Sequence, residues 1–392
     1  MTVISKELFY DKISDDISCR AIHGWESSCH KASLRVGYEV LRGSLVFFFP
    51  IYILKAIIDY RKRKRKNILW KFLESELRSA MYGVAMANLL LGTNCLLWRL
   101  CGRINYYNIG LISGAISGLS LLIETRDNKI LDTLIFFNLL IEATFKNLDF
   151  YNIFKLTTVN QTLLFMALSS ALMHMLQNKK SKINFVNFWF YAPKPLKDDP
   201  AEKFKCNHQQ PCDIYALKGT VRYFAFGYFF SIIKKLIPKM LTLYKKPQNL
   251  LYVLVNKDNA RFGAFIGIYV GLYRFIVCVL LKNKLVRPNY MGAIAGLLCG
   301  TTYAVAPNIQ ILAIGVTTLL QTFYHELTQN SSIKDSWIPQ QIIYMISHGI
   351  LMHLAIMSRQ TCPIYYKNML NTCTNNLYIK IYNELIRKYI LV

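Results

Sequence analysis

Gly263-Ala-Phe-Ile-Gly267-Ile-Tyr-Val-Gly271 is followed by Gly292-Ala-Ile-Ala-Gly296-Leu-Leu-Cys-Gly300, two apolar segments that each repeat glycine every fourth residue. In a helix, residues four apart lie on one face, so each triplet leaves a smooth groove. An interior glycine costs a soluble helix about 1 kcal/mol relative to alanine, which weighs against a water-facing bundle. In lipid there is little hydrophobic drive between helices, and close van der Waals contact along small-residue faces takes its place. Two such grooves can meet backbone to backbone. The segments therefore predict an all-α, polytopic membrane protein.

Composition points the same way. The chain has 392 residues, 53% of them hydrophobic and only 18% charged, yet its net charge is +25. Mean hydropathy is +0.25. Few ionic residues of one sign predict basic loops facing an anionic membrane surface. Nucleic acid, the other usual partner of a basic chain, is not expected, because no recognised motif for it is present. The amino terminus lacks a signal-like apolar run, and its acids argue against a presequence, so targeting is expected to be internal.

The chain repeats itself. Cys29 recurs as Cys212 at an offset of 183, and Ser79, Gly83 and Ala87 precede Gly263, Gly267 and Gly271 by 184. Gly110, Gly114 and Gly118 precede Gly292, Gly296 and Gly300 by 182, and Leu172-Met-His174 recurs as Leu351-Met-His353 at 179. Landmarks in one order at nearly one offset predict an internal duplication. The expected organisation is a Cys/His-containing segment 1–33, a first repeat 34–178, a basic linker with a second Cys/His segment 179–213, a second repeat 214–358 and a basic tail 359–392.

Each repeat offers four spans: Ser79 to Trp98, Tyr106 to Ile123, Ile130 to Phe145 and Leu156 to Gln177, then Phe262 to Leu281, Asn289 to Ala306, Ile309 to Tyr324 and Trp337 to Met357. Most approach the ~20 residues of a bilayer crossing. Leu45 to Leu54 and Tyr223 to Ile233 are short for a span and are read as interfacial or re-entrant. Four spans per repeat put every dense basic block on one side, as the positive-inside tendency favours, whereas five would invert the second half. Eight spans is the preferred reading and ten the alternative. The run Arg61, Lys62, Arg63, Lys64, Arg65 and Lys66 is the candidate contact with anionic headgroups.

Chemistry-bearing residues are few. Cys19, His23, Cys29 and His30 precede the first repeat, and Cys206, His208 and Cys212 precede the second. Thiolates and imidazoles suit zinc, but neither spacing is that of a common zinc module; disulfides or plain buried thiols use the same residues equally well. Glu142, Asp132 and Arg274 are costly in hydrocarbon and should face protein or water. Glu142, Arg274 and the paired His174 and His353, with His348 nearby, would line any transport pathway. No hydrolase elbow, Walker loop, zincin motif or dinucleotide fingerprint is present. No enzyme activity and no cofactor are therefore expected, with a membrane metalloenzyme as the third-ranked reading.

Ile22-His-Gly-Trp25-Glu-Ser-Ser-Cys29, then Cys212-Asp-Ile-Tyr-Ala-Leu-Lys-Gly219-Thr-Val-Arg222, then Asn256-Lys-Asp-Asn259 before the glycine ladder resemble the transmembrane protein 135 family. The likeness runs from about Cys19 to Tyr366. The glycine helices are also similar to those of the Tim group of mitochondrial inner-membrane translocase and channel proteins. The resemblance implies a multispanning protein of mitochondria and peroxisomes, associated with dynamin-related fission, peroxisome organisation and lipid handling. Its implied partners are anionic lipids and the dynamin-related GTPase, with a homo-oligomer also allowed. The chain departs from the family in a shorter linker than in vertebrate members and in lacking a long tail, which puts partners bound there in doubt. Transport of a lipid or small solute is the alternative function.

Overall fold

The computed structural model describes residues 3–12, 23, 25–26, 28–61, 68–178, 189–193, 206, 208–236, 249–329 and 337–389. Among these, all regular structure is helical. In chain order the helices are α1 (Lys6–Lys12), α2 (Cys29–Arg61), α3 (Ile68–Cys101), α4 (Asn108–Ile123), α5 (Arg126–Phe150), α6 (Thr158–Asn178) and α7 (Cys212–Leu236). They continue with α8 (Asn249–Leu254), α9 (Lys257–Lys282), α10 (Pro288–Cys299), α11 (Ile309–Gln329), α12 (Trp337–Met357), α13 (Ile364–Cys373) and α14 (Leu377–Tyr389). Cys29–Ile57, Ile68–Cys101, Thr158–Asn178, Lys257–Lys282 and Trp337–Met357 are long and apolar enough to cross a membrane.

Two pieces differ from the sequence reading. Leu45 to Leu54 lies inside the 33-residue α2, and Tyr223 to Ile233 lies inside the 25-residue α7. Neither is a separate short segment, and of the two helices only α2 is long and apolar enough to cross a membrane. Arg35, Glu39 and Arg42, and in α7 Lys218 and Arg222, interrupt the apolar run without interrupting the helix. Pro50 also sits within α2. Outward-facing Val46, Phe49 and Leu54 on α2, and Val221, Phe226 and Phe229 on α7, leave apolar surface exposed in the way a lipid-facing helix does.

The chain divides into two compact units, residues 1–150 with 335–392, and residues 151–334. In the first, α2 and α3 form a hairpin, α4 packs on α3 and α12, and α5 packs on α12. In the second, α7 and α9 form the hairpin, α10 packs on α6 and α9, and α11 packs on α6. The boundary between compact units is thus not the boundary between consecutive repeats, because α6 packs with α10 and α11 and α12 packs with α4 and α5, in each case helices of the other repeat.

The glycines explain these pairings. A methyl group on Gly110, Gly114 or Gly118 would lie 2.7 Å from His353 Cα, 3.0 Å from Gly349 Cα or 3.0 Å from Met345 Cα, all on α12. On Gly292, Gly296 or Gly300 it would lie 2.7 Å from Met173 O, 2.6 Å from Ser169 O or 2.7 Å from Met166 Cα, all on α6. Gly263 and Gly267 face Phe224 O and Thr220 O of α7 at 2.9 and 2.7 Å, and Gly271 faces the Thr220 side chain. The two ladders therefore do not meet each other; each receives a different helix.

The same contacts occur within each unit, in register. His348 Nδ1 donates to Gly114 O at 2.8 Å, and at the corresponding place Ser169 Oγ donates to Gly296 O at 2.7 Å. In the hairpins, Gly37 meets Val84 and Asn88 where Thr220 meets Gly267 and Gly271, an offset of 183 rather than the 184 of the small-residue alignment. The close approach is kept while the glycine changes helix. Within the first ladder, Gly83 contacts Ser44 and Val40, and Ala87 packs among the core residues of its unit. Ser79 is instead a buried hydrogen-bonding node: it accepts from Tyr52 at 2.6 Å and donates to Glu124 at 2.5 Å, while Asn128 donates to Glu124 at 2.8 Å.

Gly92 supplies a control, since nothing lies within 4 Å of a methyl group placed there. Gly296→Ala should lower stability by about 1–3 kcal/mol through overpacking, whereas Gly92→Ala should be neutral or raise it by up to about 1 kcal/mol through helix propensity. Thermal unfolding of the two variants in detergent checks this, and an equal response from both contradicts it.

Candidate functional site

Cys212 opens α7 and Cys278 lies one turn before the end of its antiparallel partner α9, so the hairpin brings the two thiols together. The preceding segment adds Cys206 and His208. Their ligand atoms all lie within 4.8 Å of one another. Cys206 Sγ is 3.9 Å from Cys212 Sγ, well beyond a disulfide's ~2.05 Å. His208 Nε2 is 3.2 Å from Cys278 Sγ, while its Nδ1 donates to Gln210 O at 2.7 Å. The ring stacks on Tyr215 with centroids 4.2 Å apart. Burial raises the Cys206 thiol above its ordinary range, and the hydrogen bond with Cys212 adds to the rise. This donor set could hold a soft metal ion.

His23, Cys29 and Cys95 form a second group with ligand atoms within the same 4.8 Å limit. Cys95 lies near the end of α3 as Cys278 does in α9. Cys19 lies outside the described residues, and His30 follows Cys29 on α2 without belonging to the group. The described cysteines are all free thiols. Cys362 and Cys373, by contrast, belong to neither group, and burial pushes each thiol up to about 12.

Beside His208 an open cleft of about 620 Å³ is lined by Gln209, Gln210, Tyr215, Lys218, Arg222 and Arg274. Three cations and no carboxylate line it, so it suits an anionic group. The Arg274 guanidinium lies 4.5 Å from the Tyr215 ring and donates to Tyr215 O at 3.3 Å. Of the headgroup candidates read from the sequence, Lys62, Arg63, Lys64, Arg65 and Lys66 lie outside the described residues, and Arg61 ends α2.

Of the pathway candidates, Glu142 and His353 belong to the first unit and Arg274 and His174 to the second. Glu142, nearly fully buried, pairs with Lys146 one turn away at 2.6 Å. His353 packs on Tyr106 and Tyr107, and His174 stacks on Tyr290 and neighbours Asn178 at 3.2 Å. Among the described residues no hydrogen bond or ion pair links Glu142 to His353 or Arg274 to His174. The paired histidines therefore sit at corresponding aromatic contacts in the two units.

Sequence reasoning missed Cys95 and Cys278, although they are related by the same offset of 183 that relates Cys29 to Cys212 and His23 to Cys206. It also left Asn256 and Asn259 unexplained. Asn256 caps α9 by accepting from Asp258 N at 2.8 Å. Asn259 is fully buried, accepts from Ser231 at 2.8 Å and donates to Val253 O at 2.8 Å, tying α7 and α8 to the start of α9. Asn259→Leu should cost about 1–3 kcal/mol by leaving these partners unsatisfied. Denaturation of the variant in detergent measures this, and wild-type stability would show the ties to be idle.

Residues 17–148, which contain the His23, Cys29 and Cys95 group, match the family model described as the N-terminal cysteine-rich region of transmembrane protein 135. No solved structure matches the fold. The apolar helices and this match describe a multi-pass membrane protein. Over that stretch, about a third of the chain, the protein is similar to the N-terminal region of transmembrane protein 135.

Proposed function

We propose that this chain is a non-enzymatic, multi-pass protein of mitochondrial and peroxisomal membranes. It regulates mitochondrial dynamics by promoting fission through the dynamin-related GTPase, and it contributes to peroxisome organisation and lipid metabolism. The observation that carries this reading is the match of residues 17–148 to the transmembrane protein 135 model. The cleft of Lys218, Arg222 and Arg274 supports the lipid part, since clustered cations beside a helix end suit an anionic headgroup. The glycine-packed units provide the frame that holds this basic surface.

Transport of a lipid or small solute is the second reading, favoured by the same cleft, where Arg274 stands among groups suited to an anion. Flux in proteoliposomes that survives Arg274→Leu combined with Glu142→Gln removes the pathway role of those two residues.

Overexpression should fragment the mitochondrial network and knockout should elongate it, as scored by light microscopy. A network unchanged under both treatments contradicts the fission role. Protease protection of a tagged carboxyl terminus in isolated mitochondria and peroxisomes checks the location, and absence from both membranes overturns it.

A further inference from the structure

The two Cys/His groups occupy the same place in the two hairpins. His23 corresponds to Cys206, Cys29 to Cys212 and Cys95 to Cys278, each pair at the offset of 183, and at that offset Trp25 stands where the second group has His208. We propose that Cys206, His208, Cys212 and Cys278 bind one zinc ion in a closed four-ligand site, and that His23, Cys29 and Cys95 form a three-ligand counterpart of weaker affinity. This inference rests on the fold and not on the functional reading above.

The geometry is that of a zinc site. Tetrahedral zinc with Zn–S near 2.3 Å places its sulfurs about 3.8 Å apart, and Cys206 and Cys212 are separated by 3.9 Å. A metal-bound histidine usually donates its other ring N–H to a carbonyl or carboxylate, which fixes the tautomer. His208 Nδ1 does so to Gln210 O, leaving the Nε2 lone pair toward Cys278. Stacking on Tyr215 holds the ring plane. Cys212 stands at the amino end of α7. Three thiolates and one imidazole select zinc over harder cations. The ion would join the start of α7 to the end of α9, fastening the hairpin where its helices leave the apolar layer.

Elemental analysis of the full chain, purified in detergent under reducing conditions and dialysed against a chelator, tests this. One zinc per chain should remain, and a second should bind only when zinc is added back. Cys278→Ser should abolish the retained zinc, whereas Cys95→Ser should leave it and remove the added-back one. His208→Gln, a gentler change, should weaken the retained zinc about tenfold or more, and cobalt exchanged into the wild type should show a thiolate-to-cobalt charge-transfer band that His208→Gln alters. Zinc content unaffected by Cys278→Ser, no cobalt–thiolate band, or a Cys206–Cys212 disulfide found by alkylation and peptide mapping overturns the proposal.

Discussion

Close approach of helix backbones at small residues is the constraint on which this architecture depends. A lipid-embedded helix gains nothing by exchanging acyl chains for leucines, so association relies on dispersion and hydrogen bonding across the contact. Both are available only where the surfaces lie near each other. Gly114 against Gly349 and Gly263 against Gly227 supply that proximity. Where a contact is close enough, polar groups reach across it: His348 to Gly114 O and Ser169 to Gly296 O are hydrogen bonds that a larger residue at the glycine would prevent.

The glycine periodicity made the helices and their packing faces legible, but not the identity of the partner. A groove records the absence of side chains and says nothing of what fills it. The partners of Gly110, Gly114 and Gly118 lie far along the chain on α12, a helix that sequence order assigns to the other repeat. The small-residue alignment also misplaced the hairpin register by one position, because Gly37 opposite Asn88 and Thr220 opposite Gly271 put the small residue on opposite members of the pair. Likewise, charges in α2 and α7 masked their length: hydropathy counts Arg35 or Lys218 against a span, while a helix needs only that such residues share an outward face.

The candidate site was half legible for a related reason. Cys206, His208 and Cys212 are close in sequence, but Cys278 joins them only because α7 and α9 run antiparallel and their ends coincide. The same hairpin places Arg274 beside Lys218 and Arg222, turning dispersed cations into one basic cleft. A fastened hairpin end and an anion-suited cleft are thus adjacent consequences of one helix pair. Glu142 was legible as a costly charge, and the structure resolves it with Lys146 on the next turn.

The exchange of α6 and α12 between the two glycine ladders is the central structural claim, and crosslinking tests it most directly. Ser117 lies beside His348, with Oγ 3.2 Å from Nδ1, and the native thiol Cys299 is the counterpart of Ser117 in the second glycine ladder. In a chain carrying Ser117→Cys and His348→Cys, a short membrane-permeable thiol crosslinker should join positions 117 and 348, as read by peptide mapping. Joining of position 348 to Cys299 instead would show that consecutive repeats fold on themselves and would contradict the account.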